Sequence, residues 1–295
     1  MAIAAVILSW NDRELTLSSV KRSLSLDLTP IVVDNGSSDN SAQEVAIAYP
    51  DVALIRNETN LGYAEASNQG LERALDERYE YVLLLNSDVT IESIDLERMA
   101  HYLDHNENVG AVAPLMYYPN RKRIWFAGLK LDLARAEAPH EQTISHKTAF
   151  PSSALTAACL LIRSAVLQQV GLFDLHYFAY FEDTDLTYRI HQAGHLLMVL
   201  PTASCIHDVS SSLGEGSARQ YYYYYRNRLY FGHKFAERGT WLRAQIWVAG
   251  NLTGLAFDCV KSLVKLRWHP DRVDILRAAM RGVRDYYGGY YGPAR

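Results

Sequence analysis

Cysteine is scarce in this 295-residue chain, and its three copies, Cys159, Cys205 and Cys259, lie far apart without a C-x-x-C pair. This spacing excludes a disulfide framework and a thiolate zinc site, and it fits a reducing cytoplasm. The chain also lacks an apolar run of the ~18 residues that a membrane-spanning helix needs. The apolar stretch at residues 2–8 has neither the length nor the basic start of a signal peptide. We therefore expect a globular cytoplasmic protein.

Glycine-based nucleotide motifs are missing as well. No G-x-G-x-x-G follows a strand-like run, and the pattern G-x-x-x-x-G-K-[ST] does not occur. Both motifs supply backbone N–H groups that hold phosphates at the start of a helix. Their absence argues against a dinucleotide-dependent dehydrogenase and against a P-loop enzyme.

Charge is unevenly distributed along the chain, although the net charge is only −4. Residues 217–295 contain 14 Lys and Arg against 5 Asp and Glu, whereas residues 1–216 contain 15 against 28. A basic tail of this kind either contacts an anionic partner or forms a solvated pair of helices. The shift predicts two parts, a larger domain over residues 1–216 and a basic, mainly helical extension over residues 217–295.

Short apolar runs alternate with helix-like segments in the first third of the chain. The runs at residues 2–9, 31–34, 52–56 and 81–85 are typical of buried strands. Their alternation with helices predicts an α/β fold with a doubly wound, mostly parallel sheet. Such sheets bind ligands at the carboxyl ends of their strands. Polar residues stand there in this sequence, as Ser9-Trp10-Asn11, Asp34-Asn35 and Asn86-Ser87-Asp88.

The tripeptide Asn86-Ser87-Asp88 directly follows the run at residues 81–85. A carboxylate in this place binds a hard cation such as Mg²⁺ or Mn²⁺, which bridges the oxygens of a diphosphate. Asn, Ser and Asp are also the residues preferred at helix N-caps. For the tripeptide alone, the cap is the preferred interpretation.

Three acids stand within four residues at Glu182, Asp183 and Asp185, where a helix over residues 183–193 is predicted to begin. The helix dipole favours acids there, but a cap needs one acid rather than three. Crowded carboxylates in a partly apolar cleft raise one another's pKa, which suits a general base. His207 ends a short apolar strand, and it matters chemically only if the fold brings it to a metal site.

In their order along the chain, these segments resemble the family 2 glycosyltransferases with the GT-A fold, and in particular their rhamnosyltransferase-like members. The resemblance covers roughly residues 1–235, and it rests on the ordered set rather than on one motif. The matching segments are Val6–Asn11, Val32–Asp39, Asn60–Ala64 with Asn68 and Gly70, Leu84–Asp88, Val170–Asp174, Tyr180–Leu186 with Arg189, His207 and Tyr224–Asn227.

The resemblance implies a GT-A-type, Rossmann-like, mostly parallel central sheet flanked by helices, with a helical C-terminal extension. Residues 1–216 would form the nucleotide-sugar-binding and catalytic domain. Residues 217–295 would contact the acceptor, a membrane surface or a second copy in a homodimer.

The resemblance also implies roles for single residues. Asp183 corresponds to the catalytic base, and Glu182 to a neighbour that contacts the acceptor or the sugar. Asp88 corresponds to a ligand of Mg²⁺ or Mn²⁺, with His207 completing that site, and Asp34 to the acid that binds a pyrimidine base. The other residues implied to bind the nucleotide sugar are Ser9, Trp10, Asn11, Asn60, Gly62, Tyr63, Asn68, Asn86 and Ser87.

Two residues depart from the family pattern. Asn86 stands where the first acid of a D-x-D motif is found, so the site carries less negative charge. Trp10 stands where the family often has Tyr.

The implied activity is inverting transfer of a sugar in bacterial cell-surface polysaccharide synthesis. The favoured donor is dTDP-rhamnose, and a UDP-sugar carrying galactofuranose, N-acetylglucosamine or glucose is the alternative. The acceptor would be a saccharide or a lipid-linked saccharide, and no nucleic acid is expected as a partner. The small, flexible segment at residues 210–216 would close over the donor and exclude water.

Two other functions stay open at this point. A sugar-phosphate nucleotidyltransferase usually has a glycine-rich loop with a basic residue after its first strand, and Ser9-Trp10-Asn11-Asp12 argues against it. A carbohydrate-binding or scaffold protein would follow if Asp88, Asp183 and His207 lay too far apart to share one ligand.

An apolar stripe at helical spacing runs through residues 241–267. Such a stripe packs on the protein, pairs with a second copy, or rests on anionic lipid at the inner face of the plasma membrane. Burial within the protein is the preferred interpretation. The stripe comprises Leu242, Ile246, Ala249, Leu252, Ala256, Val260 and Leu263, with Arg243, Lys261, Lys265 and Arg267 as its basic neighbours.

Overall fold

A computed structural model of the protein describes residues 2–144, 146–209, 216–264 and 270–294. The predicted closing segment, apart from Gly216, lies outside the described residues, as do Lys265 and Arg267. The chain divides into two compact units, the first made of residues 1–130, 139–175 and 182–210, the second of residues 131–138, 176–181 and 211–295. The functional boundary at residue 216 stays a prediction.

The first unit is built on a mixed sheet with the strand order β3-β2-β1-β4-β9-β6-β10-β5. The part formed by β3, β2, β1 and β4 is entirely parallel, as the alternation of strands and helices predicts. Strand β9 runs antiparallel between β4 and β6, which makes the sheet mixed. The strands are β1 (Ile3–Ser9), β2 (Thr29–Asp34), β3 (Ala53–Arg56), β4 (Tyr81–Asn86), β5 (Val89–Ile91), β6 (Val109–Tyr117), β7 (Ile124–Phe126), β8 (Phe150–Pro151), β9 (Cys159–Arg163) and β10 (Leu196–His207). The predicted α/β fold is confirmed.

Helices cover this sheet and bury its apolar strands. Val6 of β1 and Leu84 of β4 are almost fully buried, because helices lie over the parallel strands. Gly70 lets one helix approach β1 closely, since a Cβ there would lie 2.5 Å from Val6 Cγ1. The helices of this unit are α1 (Arg13–Ser25), α2 (Ser41–Ala48), α3 (Tyr63–Asp76), α4 (Ser93–Asp104), α5 (Ser164–Val170) and α6 (Glu182–Gln192).

The second unit contains three long helices, α7 (Ala218–Phe235), α8 (Arg238–Val264) and α9 (Pro270–Tyr287). Gly282 of α9 lies against the backbone carbonyl of Tyr222 in α7, where a Cβ would overlap that oxygen. The tyrosine run in α7 packs its rings around the guanidinium groups of Arg226 and Arg228, which are both buried. Stacking on aromatic faces lowers the cost of burying these cations.

In the apolar stripe predicted for α8, Leu242, Ile246, Ala249 and Val260 are exposed, so the preferred interpretation of burial was wrong for these residues. Leu252 and Ala256 are partly buried, and the side chain of Leu263 lies outside the described part of the chain. Leu242, Ile246 and Val260 are 58%, 65% and 55% exposed, whereas the buried positions of the helix include Ala244 and Val248. The helix therefore buries the face beside the predicted one. None of the described helices is long and apolar enough to cross a membrane.

Candidate functional site

The carboxyl ends of β1 and β2 hold Asp34 in a buried position. Its Oδ1 accepts a hydrogen bond from the backbone N–H of Ser37 at 3.1 Å. Its Oδ2 is buried without a hydrogen-bond partner among the described residues. A buried acceptor without a partner is costly, so a ligand that donates a hydrogen bond there would be bound favourably. Asn11 adjoins this turn, because its Oδ1 accepts from the backbone N–H of Ser38 at 2.8 Å.

An asparagine network fixes the loop that leads into α3. Asn35 donates to Asn60 Oδ1 and to the Gly62 carbonyl, both at 3.1 Å, and accepts from the backbone N–H of Leu61. Gly62 has φ +91°, a conformation that favours glycine. The side chains of Asn35 and Asn60 therefore hold this loop, which carries Tyr63 at the start of α3.

Strand register brings Asp88 and His207 together. Strand β5 pairs antiparallel with β10, and His207 lies opposite Val89, the residue after Asp88. The resulting distance between His207 Nε2 and Asp88 Oδ1 is 3.2 Å. His207 Nδ1 is buried and has no hydrogen-bond partner within the described part of the chain. The family resemblance implied this pair, although the two residues are far apart along the chain.

The sequence analysis missed two residues, Trp125 and His140, that lie beside His207. The ring of Trp125 packs edge-on against His207 at 4.2 Å and against His140 at 4.5 Å between centroids. Burial lowers the pKa of His140, the charge of Asp183 opposes that change, and His207 adds to it. His140 therefore lies close enough to both residues to sense their charges. Trp125 lies in the three-residue strand β7 and His140 lies between β7 and β8, in a part of the chain where no long periodic pattern marks them.

The acids at the start of α6 have three separate environments. Asp185 is fully buried and forms an ion pair with Arg189 at 2.7 Å. Glu182 is 8% exposed, its Oε2 has no partner among the described residues, and burial beside Asp183 raises its pKa well above the ordinary value. Asp183 is partly open to solvent and accepts from the backbone N–H groups of Ala157 and Thr184. Asp185 is thus structural, Glu182 favours its protonated form, and Asp183 is accessible to solvent.

Tyr63 connects the strand-end motif with these acids. Its hydroxyl donates to Asn86 Oδ1 at 3.4 Å. Burial raises the pKa of Tyr63, and the charges of Glu182, Asp183 and Asp88 raise it further. All three acids therefore influence the titration of one tyrosine.

Four other predicted residues differ in how they are bonded and buried. Asn68 donates to the Phe173 carbonyl and accepts from its N–H, both at 2.9 Å, so its amide is committed to that loop. Ser9 is fully buried, and its Oγ accepts from the Thr16 hydroxyl at 2.8 Å. Ser87 is buried as well, while Trp10 directly follows β1 and is partly exposed.

Asp12 is a further residue to which the sequence analysis gave no role in the site. It precedes α1 but makes no capping bond with its side chain. Burial raises its pKa, and the charges of Asp88 and Asp39 raise it further. Asp12 therefore adds a carboxyl group to the polar side chains at the strand ends.

The donor set limits what kind of metal site the protein alone supplies. No group of three or more His, Cys, Asp or Glu side chains with metal-binding geometry occurs among the described residues. Asp88 and His207 offer one oxygen and one nitrogen, so any cation there needs further ligands from a bound molecule or water.

A strained turn in the second unit precedes the acids in the chain. Tyr180 and Phe181 both have positive φ, 68° and 74°, which is costly for side chains of this size. Asn227 of α7 donates to the carbonyls of Ala179 and Tyr180 at 2.7 and 2.8 Å and is fully buried. The segment Tyr224–Asn227, noted in the sequence, thus stabilises the turn that leads to Glu182.

Comparison with curated proteins gives relatives of known type. The chain is 27% identical to the N-acetylglucosaminyl-diphospho-decaprenol L-rhamnosyltransferase of Mycobacterium tuberculosis, over 78% of this chain and 82% of the relative. It is 24% identical to the dTDP-rhamnosyl transferase RfbF of Shigella flexneri, over 70% of this chain and 69% of the relative.

Solved structures show the same fold. The mannosyltransferase PcManGT from Pyrobaculum calidifontis, determined with GDP-Man and Mn²⁺, matches with a TM-score of 0.57 and 16% identity. The match covers 97% of this chain and 86% of that one. The sequence profile described as "Glycosyl transferase family 2" matches residues 6–171, more than half of the chain. The chain therefore belongs to glycosyl transferase family 2 and has the GT-A fold.

Proposed function

We propose that the protein is an inverting glycosyltransferase that moves L-rhamnose from dTDP-rhamnose to a hydroxyl group of a saccharide or lipid-linked saccharide. The observation that carries the proposal is the contact between His207 Nε2 and Asp88 Oδ1 at 3.2 Å, next to Asn86, which accepts a hydrogen bond from Tyr63. A nucleotide diphosphate sugar that lies across the strand ends would meet all these groups.

The base of the nucleotide is proposed to bind at Asp34. Its buried Oδ2 lacks a donor among the described residues. Thymine and uracil each carry one N3–H donor on the edge of the ring, which supplies the missing hydrogen bond. This chemistry fits dTDP and UDP equally well, so a UDP-sugar remains the alternative donor.

The diphosphate is proposed to bind beside Asp88 and His207, with a divalent cation. Asp88 and His207 would hold the cation, and a mixed oxygen and nitrogen donor set suits Mn²⁺ better than Mg²⁺, which prefers oxygen ligands alone. When bound, such a cation offsets the negative charge that develops on the departing diphosphate. Asn86 contributes no charge, so the protein's own share of the site is one carboxylate and one imidazole.

Asp183 is proposed as the general base and Glu182 as its neutral neighbour. Burial beside Asp183 favours the protonated form of Glu182, so the accessible carboxylate of the pair is Asp183. Its two backbone hydrogen bonds orient it in the first turn of α6. A protonated Glu182 can donate a hydrogen bond to a sugar or acceptor hydroxyl.

The proposed reaction is a single displacement. The acceptor oxygen forms a bond to the anomeric carbon from the face opposite the leaving group, and Asp183 takes the hydroxyl proton. The bond between the anomeric carbon and the diphosphate oxygen breaks, and the electron pair leaves with the nucleoside diphosphate. Configuration at the anomeric carbon inverts, so no nucleophile of the protein is required.

Rhamnose is chosen as the sugar because two relatives are named rhamnosyltransferases, at 27% and 24% identity. The relative from M. tuberculosis is named for an acceptor with a diphospho-decaprenol lipid. A lipid-linked acceptor for this chain fits the exposed apolar face of α8, formed by Leu242, Ile246, Phe257 and Val260.

That face is proposed to rest on an anionic membrane. Arg243 and Lys261 on the same helix are exposed and would approach lipid phosphates. Flotation with liposomes of anionic and of neutral lipid tests this contact. We expect binding to anionic liposomes that Leu242→Ser with Ile246→Ser abolishes. A homodimer that covers the same face would instead give a concentration-dependent mass in solution and no flotation.

The main experiment is a thermal-shift panel of nucleotide sugars with and without Mn²⁺. We expect dTDP-rhamnose with Mn²⁺ to stabilise the protein most, because a ligand that binds only the folded state raises Tm. Turnover is then measured as release of dTDP in the presence of acceptor. A protein that no dTDP-sugar or UDP-sugar stabilises would overturn the proposal.

A further inference from the structure

A large groove in the second unit is lined by residues that have no role in the proposed sugar transfer, although Arg243 and Ile246 belong both to its wall and to the exposed side of α8. Its volume is about 1340 Å³, and its walls come from α7, α8 and the segment at residues 134–137. Drug-sized pockets occupy roughly 300–1,000 Å³, so this groove has room for an extended ligand of several rings.

Aromatic rings form one part of the groove wall. Tyr221, Tyr224, Tyr225 and Trp247 all line it. Trp247 remains 40% exposed, although the Arg135 guanidinium covers its ring at 4.5 Å. Its indole N–H donates to Glu137 at 2.9 Å, which fixes the ring in one orientation. A large aromatic side chain held in place by its polar edge is preorganised for contact with a flat apolar surface.

Polar side chains form the rest of the wall, and their charges are nearly balanced. Arg228 is buried and donates to Glu137 at 2.9 Å, so these two charges offset each other. Arg228 Nε has no hydrogen-bond partner among the described residues. Asn251 and Asp258 of α8 also face the groove. The lining as a whole holds three arginines, Arg135, Arg228 and Arg243, against Glu137 and Asp258. This small excess of positive charge does not by itself select a phosphate, and so many polar groups do not suit an acyl chain.

We infer that this groove binds a saccharide, and that the saccharide is the sugar portion of the acceptor. A pyranose ring has an apolar face of C–H groups, which stacks on Tyr or Trp, and an edge of hydroxyl groups, which bond to amides and carboxylates. The groove presents both kinds of surface. The identity of the saccharide as the acceptor rests on the proposed function, whereas sugar binding at Trp247 does not.

The test uses the full chain labelled with 5-fluorotryptophan and observed by fluorine NMR. The chain has five tryptophans, and Trp247→Phe identifies the signal of Trp247. The probes are the methyl glycosides of N-acetylglucosamine, L-rhamnose, D-galactose and D-glucose, together with N,N′-diacetylchitobiose, at millimolar concentrations and without nucleotide. We expect at least one of them to shift the Trp247 signal in a saturable way.

A matched pair of substitutions on α8 locates the binding. Asn251→Leu keeps the approximate size but removes the hydrogen-bonding groups, and we expect Kd to rise about 5–10-fold, as the loss of one or two hydrogen bonds implies. Thr253→Leu makes a similar change from a polar to an apolar side chain at an exposed position of α8 that does not line the groove. We expect that control to leave Kd unchanged.

Three results would overturn the inference. The first is a Trp247 signal that no glycoside shifts, and the second is a Kd that Asn251→Leu leaves unchanged. The third is a Trp247 signal that shifts only with pyrophosphate or farnesyl phosphate, which are added as comparison probes. Donor binding is scored separately by the thermal-shift panel. If a nucleotide sugar binds but no saccharide shifts the Trp247 signal, the inference about the groove is rejected and the proposed function is retained. If a saccharide shifts the Trp247 signal but no nucleotide sugar binds, the proposed function is rejected and saccharide binding in the groove is retained.

Discussion

The two units differ in which buried charged groups keep atoms without hydrogen-bond partners. In the first unit, the atoms left without partners among the described residues include the carboxylate oxygens of Asp34 and Glu182. In the second unit they belong to the guanidinium groups of Arg226 and Arg228, each of which donates hydrogen bonds through another nitrogen and lies with its face on tyrosine rings. In the first unit, Asp34 offers an acceptor to a ligand that donates a hydrogen bond, and the protonated Glu182 offers a hydroxyl group that can donate one. The second unit uses its buried cations to hold helices together.

This difference predicts that substitutions of the site acids Asp88 and Asp183 in the first unit change chemistry, whereas substitutions among the buried residues of the second change stability. The largest effect is expected for Asp183→Asn. Loss of a general base lowers kcat by about 10²–10⁴-fold, while donor binding stays nearly unchanged. The measurement is turnover together with calorimetry of the nucleotide sugar.

Asp185→Asn is the matched control, because it alters another acid in the same turn of α6. Its ion pair with Arg189 is structural, so we expect a lower Tm and most of the turnover to be kept. Near-normal kcat in Asp183→Asn would show that Asp183 is not the base.

The second effect concerns the pair formed by Asp88 and His207. Removing a metal ligand should weaken donor binding in the presence of Mn²⁺ at least as much as the ~10–100-fold seen for supporting residues of metal sites. Calorimetry of Asp88→Ala with and without Mn²⁺ checks this. We expect the gain in affinity that Mn²⁺ gives the original protein to disappear. A variant that keeps the full Mn²⁺ effect would place the cation elsewhere.

The sequence predicted much of the first unit and little of the second for a physical reason. The strand ends at Asp34 and Asp88 follow apolar runs directly, so local pattern alone locates them. His207 reaches Asp88 through strand register, which only the resemblance to a family indicated. Trp125 lies in a strand of only three residues and His140 lies outside the named strands and helices, so no periodicity marks either residue. The face of α8 was assigned wrongly because an apolar stripe records that a surface is apolar, and not which neighbour covers it.

The third effect is a loss of stability when a glycine is replaced by alanine, and it is compared at one glycine from each unit. In Gly282→Ala the new methyl group meets the backbone carbonyl of Tyr222, which cannot move without shifting α7. In Gly70→Ala it meets the Val6 side chain, which can change its rotamer. Overpacking costs about 1–3 kcal/mol, and we expect Gly282→Ala at or above the top of that range and Gly70→Ala below it. Urea unfolding of both variants gives the two free energies, and a larger cost for Gly70→Ala would reverse the expected order.

The smallest effect is a pH dependence that arises from Glu182. Burial and Asp183 raise its pKa in the folded protein above the ordinary value of about 4.5, so the folded state binds its proton more tightly than the unfolded state. Stability from this group is therefore fully present below that ordinary value and is lost as pH rises toward the folded pKa.

In Glu182→Gln the side chain at this position is neutral at every pH, so the variant does not lose this stability as pH rises. We expect the Tm of Glu182→Gln, relative to that of the original protein, to increase from pH 4.5 upwards, because only the original protein must bury a group that ionises when unfolded. A Tm difference that is constant across this range would mean that Glu182 is ionised in the fold, and the assignment of Asp183 as the accessible base beside a neutral neighbour would then lose its support.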